Sequence, residues 1–331
     1  MTRLPRCLRA ALAALALALA FCTTPYAADW KPERGVELIV PTGPGSGVDN
    51  TMRTLQMIMQ TAKLVETPTN VINKPGGSYG VALNYLVQYP GDGQRLMVQT
   101  STPLSALLTG QVNVDYFAFT PIANLITEPI AFMVRAESPI TGARDLAARI
   151  KVDPGSVSIA LAAARGNAYH IAAALIARTV GADSRKLKIV VFGSSAEAMT
   201  ALLGGHVDVV SATPGAFLQL LETGKLRFVG VASPRRLGGP LAKVPTLKEQ
   251  GVDVVFDVPR SVIAPRGLSA DQIRYWDGVF QRLVKTPAWK DALEKNQWDE
   301  DYMNSAELGK SLKSQYTILK DVLGELGMVK N

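Results

Sequence analysis

The stretch Leu38-Ile39-Val40-Pro41-Thr42-Gly43-Pro44-Gly45-Ser46-Gly47-Val48-Asp49-Asn50 joins residue types suited to holding an anion. Three glycines and a proline fall within the six residues 42–47 and must end the preceding apolar run. Met52, Leu55, Ile58 and Met59 then follow at helical spacing, with Asp49 or Asn50 as the expected N-cap. Glycines let a backbone approach a ligand closely, and the first N–H groups of a helix have no partner inside it. Such a terminus attracts negative charge. The competing reading is that the glycines only make a tight turn. The pattern recurs, however: six loops, three in each half of the chain, place Gly, Ser, Thr, Asn or Pro before a helix start. If these loops face one another, backbone N–H groups and hydroxyls suffice to hold a carboxylate.

Other chemistries fit less well. Gly76-Gly77-Ser78-Tyr79-Gly80 satisfies G-x-S-x-G and follows a strand, the signature of a nucleophile elbow. A nucleophilic Ser78 needs a histidine base, and His170 and His206 are the only two histidines. His206 sits between Gly205 and Val207 in a turn. His170 falls in the other half of the chain and would have to reach across a cleft. Hydrolysis through Ser78 is therefore the minor alternative, and no catalytic residue is assigned. Two isolated histidines form no metal site. Gly43, Gly45 and Gly47 miss the G-x-G-x-x-G fingerprint, whose third position is Val48 here. No cofactor is expected.

The elements that must position these loops alternate between strand and helix. Residues 1–28 read as a secretory leader, with Arg3, Arg6 and Arg9 before an apolar run and Ala27-Ala28 for cleavage. Phe21 is too bulky to favour lipidation at Cys22, so plain export to the periplasm is the expectation. Both cysteines, Cys7 and Cys22, fall in this leader, so the mature chain is expected to fold on its hydrophobic core without thiols. The formal charge of +7 drops to +4 once the three leader arginines are removed, too mild an excess for nucleic acid.

Strands are predicted near residues 36–40, 69–72 and 95–99, then again near 157–161, 187–192, 207–210 and 226–232, each set interleaved with helices. A helix capped by Thr141 is expected between the sets. Helices over about 269–284, 286–298 and 305–326 close the chain. The result is an α/β protein with parallel sheets and two similar domains, residues 29–128 with 256–331 and residues 129–255. Extended crossings near 122–135 and 252–264 join them. Loops at the carboxyl ends of parallel strands are where ligands usually bind.

Several motifs resemble those of the tripartite tricarboxylate transporter receptors, or Bug-type extracytoplasmic solute-binding proteins. They run in register from "VELIVPTGPGSGVDNTMR" through "VINKPGGSYGVA", "RGNAYHIAAALI" and "VVFGSSAEAMTALLGGHVDVV" to "VPTLKEQGV" and "VIAPRGLS". The resemblance implies a class II periplasmic-binding-protein fold that closes on a small carboxylate. It also implies a monomer that delivers its ligand to the membrane permease of a tripartite transporter, or alternatively presents it to a sensor kinase. Carried over position by position, the implied ligand-binding residues are Thr42, Gly45, Ser46, Asp49, Gly77, Ser78, Ser101, Thr102, Gly166, Asn167, His170, Ser194, Ser195 and Thr213. Three departures stand out: Pro41-Thr42-Gly43-Pro44-Gly45-Ser46-Gly47 where the family often runs Pro-Phe-Pro-Pro-Gly-Gly, Tyr169-His170 where it often carries adjacent histidines, and Val258-Pro259-Arg260-Ser261 where it often carries Trp-Phe or Trp-Tyr before Gly.

Arg165 and Arg260 lie in segments expected to border the cleft. Arg260 sits among Val258, Pro259 and Val262, where a buried lone charge needs a partner. The expectation is that Arg260 binds a second carboxylate of a di- or tricarboxylate ligand, through the planar fork of its guanidinium.

Overall fold

The computed structural model describes residues 30–330; the expected leader, with Cys7 and Cys22, lies outside them. Two sheets organise the chain. The six-stranded sheet runs β11-β4-β10-β3-β1-β2 and the five-stranded sheet β7-β6-β8-β5-β9. In the first, β1 (Val36–Val40), β2 (Thr69–Asn73) and β3 (Arg95–Gln99) are parallel. In the second, β6 (Ser158–Ala162), β7 (Lys188–Phe192) and β8 (Val209–Ala212) are parallel. Strands β3, β6 and β8 are buried along their whole length, as the near-continuous apolar runs of a covered parallel sheet require.

Each parallel strand delivers a loop and then a helix. Strand β1 leads to α1 (Gly47–Thr61), and β2 leads through a short 3-10 turn to α2 (Gly80–Val87). Strand β3 leads to α3 (Thr102–Leu108). After β4 (Thr120–Pro129) and β5 (Ala131–Arg135), helix α4 (Ala143–Val152) opens the second set. Strand β6 leads to α5 (Ala168–Thr179), and β7 to α6 (Ser195–Leu203). Strand β8 leads to a 3-10 turn and the short α7 (Leu218–Glu222), which β9 (Leu226–Val231) follows. Helix α5 buries Ala172, Ala173 and Ala177, small side chains that let it lie close to its sheet.

The antiparallel strands do the crossing. Strand β4 passes to β5 with only Ile130 between them, and the chain returns through β10 (Asp257–Ala264), antiparallel to both β3 and β4. The two passages are hydrogen-bonded to each other and to the end of β9. Ala232 N–H donates to Ile130 O (2.7 Å), Phe256 N–H to Ala232 O (2.9 Å) and Ile130 N–H to Phe256 O (3.4 Å). Helices α8 (Ala270–Leu283), α9 (Pro287–Asn296) and α10 (Ser305–Glu325) complete the first lobe, where Trp276 and Trp289 are fully buried.

Three local expectations need correcting. The N-cap of α1 is Ser46, not Asp49 or Asn50: its Oγ accepts the Asp49 N–H at 3.1 Å, and Gly47 already belongs to the helix. Gly142, not Thr141, precedes α4, and the bond runs the other way, from Thr141 N–H to Asp145 Oδ2 at 3.0 Å. Between α9 and α10 lies β11 (Asp299–Met303), an unexpected edge strand on β4. Its acid-rich sequence has low strand propensity, and pairing with β4 overrides it.

Candidate ligand-binding site

Loops from both lobes enclose a cavity of about 30 Å³. The first is held rigid from behind. Asp49, 2% exposed, accepts hydrogen bonds from Gly45 N–H (2.9 Å), Arg53 Nε (2.9 Å) and Asn73 Nδ2 (2.8 Å). Burial raises its pKa, but the bonds from Arg53, Asn73 and Gly45 outweigh that and hold the carboxyl below its usual range. Thr42 and Ser46, joined hydroxyl to hydroxyl at 2.6 Å, then face the cavity.

The second loop supplies Tyr79 through an unusual backbone. Gly76, Gly77, Ser78 and Tyr79 all have positive φ, of 120°, 57°, 52° and 76°. Outside glycine this conformation is costly, and it turns the buried Tyr79 ring to the cavity. The third loop adds Thr102, whose N–H donates to Thr100 Oγ1 at 3.0 Å.

From the second lobe, Asn167 caps α5: its Oδ1 accepts His170 N–H at 3.1 Å, and its Nδ2 donates to Ala162 O at 2.7 Å. Gly166, at φ +83°, turns its N–H onto His170 Nδ1 at 2.9 Å. That bond needs an unprotonated Nδ1, and burial, aided by the Arg165 charge, pulls His170 down to about 4. Ala163, at φ +70°, and Tyr169 line this side. Ser194 caps α6 by accepting Glu197 N–H at 3.2 Å, and Ser195 lies beside it in the wall.

Behind the cavity lies a fully buried ion pair. Arg260 Nη2 is 2.5 Å from Glu128 Oε2, with side-chain exposures of 0% and 3%. Trp298 Nε1 donates to Glu128 Oε1 at 3.1 Å. Burial pushes the Glu128 carboxyl up, while Arg260, Trp298 and Thr213 pull it back. Burial also disfavours the Arg260 charge, but Glu128, Tyr169 and Tyr79 together hold its pKa above the usual value.

Of the residues singled out from sequence, Thr42, Ser46, Thr102, Asn167, Ser194 and Ser195 thus stand in one cavity wall. Gly45, Asp49, Gly166, His170 and Thr213 lie behind it as supports. Ser101 borders a different hollow, beside Phe256 and Pro259. Gly77 and Ser78 lie off the wall: Ser78 Oγ donates to Gln111 Oε1 at 2.5 Å, and His170 Nδ1 is already engaged by Gly166. Arg165 Nη2 donates to Ile189 O at 2.9 Å. Arg260 lies behind the wall rather than in it. The partner assigned to a ligand is supplied by the chain itself, as Glu128. Among the described residues no group of His, Cys, Asp and Glu could hold a metal ion.

Residues 52–328 match the family described as tripartite tricarboxylate transporter family receptor. The chain belongs to this receptor family. A relative from Cupriavidus necator, the UPF0065 protein in the gbd 5′ region, is 28% identical over 326 residues, 97% of each chain. The periplasmic binding protein BugD shares the fold with a TM-score of 0.79 at 22% identity, over 91% of this chain and 100% of BugD. R. palustris Rpa4515, solved with adipate, matches at 0.81 and 21% identity over 90% of this chain and 99% of its own. The receptor is therefore a two-domain periplasmic-binding-protein fold with its cleft between the domains. Among the described residues no helix is long and apolar enough to cross a membrane.

Sequence reasoning missed Tyr79, Tyr169 and Glu128 as parts of this receptor's site. A lone acid in the apolar run 122–134 was the available signal for Glu128, the same signal that drew attention to Arg260. Tyr79 was hidden because its direction depends on four successive positive-φ residues, only two of them glycine.

Proposed function

We propose that this receptor captures a small carboxylate in the periplasm and hands it to the membrane permease of a tripartite transporter. The observation that carries the reading is the cavity wall. It draws hydroxyls, an amide and the starts of α1, α5 and α6 from both lobes, and contains no Asp, Glu, Lys, Arg or His. Helix starts and hydroxyls favour an anion without competing for it as fixed counter-charges would. The adipate held by Rpa4515 supports a carboxylate as the ligand class. The two lobes, residues 29–128 with 256–331 and residues 129–255, close about the paired crossings, because a cavity of about 30 Å³ must widen to admit an organic acid.

A cognate carboxylate stabilises the folded state alone, by roughly 2.7 kcal/mol at a hundred times its dissociation constant. Thermal unfolding of the mature protein against a broad panel of mono-, di- and tricarboxylates tests the reading. At least one acid should raise the midpoint and give a calorimetric binding isotherm. A panel with no shift and no heat would refute carboxylate capture.

A further inference from the structure

Tyr169 and Arg260 meet in space. Val258 and Arg260 lie two residues apart on β10, so both side chains leave the same face of the strand. Val258 is in the cavity wall, and Glu128 is its cross-strand partner on β4. The Arg260–Glu128 pair therefore sits directly behind the wall made by Gly47, Tyr79, Tyr169 and Val258. A Cβ built on Gly47 would come within 3.3 Å of Arg260 Nη2 and 4.0 Å of Glu128 Oε2. Only a glycine wall separates the charges from the cavity at that point. The Arg260 charge also acts on both tyrosines, lowering pKa values that burial raises.

Among the buried groups around the cavity the charges then balance. Asp49 is matched by Arg53, Arg260 by Glu128, and His170 is neutral at physiological pH. One ligand carboxylate can be accommodated by three helix starts and the hydroxyls between them. A second, buried in the same closed cleft, would find the nearest guanidinium already neutralised, and an unmatched buried charge is unfavourable.

Building on the carboxylate reading, we propose that Glu128 is a specificity-determining residue: by neutralising Arg260 from within the chain it makes the site selective for a ligand with a single carboxylate. Without Glu128, the buried Arg260 guanidinium, left with Tyr169 beside it and Nη2 against the Gly47 wall, becomes a fork for a second carboxylate.

The test is calorimetric titration of the mature protein with matched straight-chain acids: butyrate with succinate, hexanoate with adipate, and longer pairs. Wild type should favour the monocarboxylate of its best pair by about tenfold or more. Glu128→Gln should reverse that preference. The double variant Glu128→Gln/Arg260→Gln, again without net charge, should restore it. Should Glu128→Gln fail to fold, Arg260→Gln decides alone: it removes the guanidinium and leaves any Glu128 charge unmatched behind the wall, so the preference for the monocarboxylate should persist or grow. A switch of preference to the dicarboxylate there would overturn the proposal, as would a wild-type preference for the dicarboxylate. An unchanged preference in folded Glu128→Gln would overturn it while leaving carboxylate capture standing. If no acid binds any of these proteins, both readings fail.

Discussion

Replacing His170 by Asn should flatten the loss of stability that acidification causes in this receptor. In the folded protein the His170 ring is buried and takes up a proton only near pH 4, against about 6.5 for the free side chain. Between these values the unfolded chain holds a proton that the folded chain does not, so stability falls as pH drops from about 6.5 to about 4. At about 1.4 kcal/mol per pH unit the full deficit is roughly 3 kcal/mol, of which roughly 2.5 has accrued by about pH 4.5. Glu128, Asp257 and Asp301 are shifted upwards, chiefly by burial, and so act in the opposite sense. They are common to both proteins and cancel in the comparison. Asparagine Oδ1 is attached at the same position as Nδ1 and can still accept the Gly166 N–H, so the loop keeps its bond. Urea unfolding at about pH 7 and about pH 4.5 should give a smaller drop for the variant, by about 2 kcal/mol. Equal drops in the two proteins would refute the buried, unprotonated histidine.

Two further substitutions probe the wall. Gly47→Val should destabilise by roughly 1–3 kcal/mol and weaken ligand binding, because even a bare Cβ would lie 3.2 Å from Thr213 Oγ1 and 3.3 Å from Arg260 Nη2; a wild-type urea midpoint would contradict the packing described. Ala163→Gly should stabilise by up to about 1 kcal/mol, since φ +70° strains any residue with a Cβ. Denaturant titration would show a raised midpoint, and a lowered one would place the strain elsewhere.

The fold was legible where burial and propensity agree. Val36–Val40 is apolar but for Glu37, and Arg95–Gln99 has Leu96, Met97 and Val98 at its centre; both are bounded by turn residues and largely buried, so pattern and structure coincide. Asp299–Met303 was not, because a strand with three acids exists only through its neighbour β4. At the site, hydroxyl and amide residues next to helix starts could be read from spacing alone, and Thr42, Ser46, Asn167 and Ser194 stand in the wall. What spacing could not reveal is which groups neutralise one another. Glu128 and Arg260 are more than a hundred residues apart, and only the antiparallel register of β4 and β10 brings them together. The same limit applies to Asp49, which looks like a cap or a ligand contact in sequence and proves to be the brace of its own loop.

The last helix ties the two lobes at a place separate from the crossings. It starts in the first lobe, where Ser305 N–H and Oγ both donate to Asp277, at 2.9 and 2.8 Å. It ends against the second, with Glu325 paired to Arg178 of α5 at 2.5 Å, and with Leu323 and Met328 beside Gly166. The Glu325–Arg178 pair is exposed and worth at most about 1 kcal/mol, whereas Leu323 is fully buried. If the lobes part there, that leucine must give up its apolar neighbours. On the closing motion proposed above, the shut form would carry a bias of its own, set by residues that never meet the ligand. On that reading, affinity would be the sum of what the wall recognises and what the tail helix already favours. Trimming Leu323 would therefore retune binding for every ligand alike and leave the order of preference unchanged.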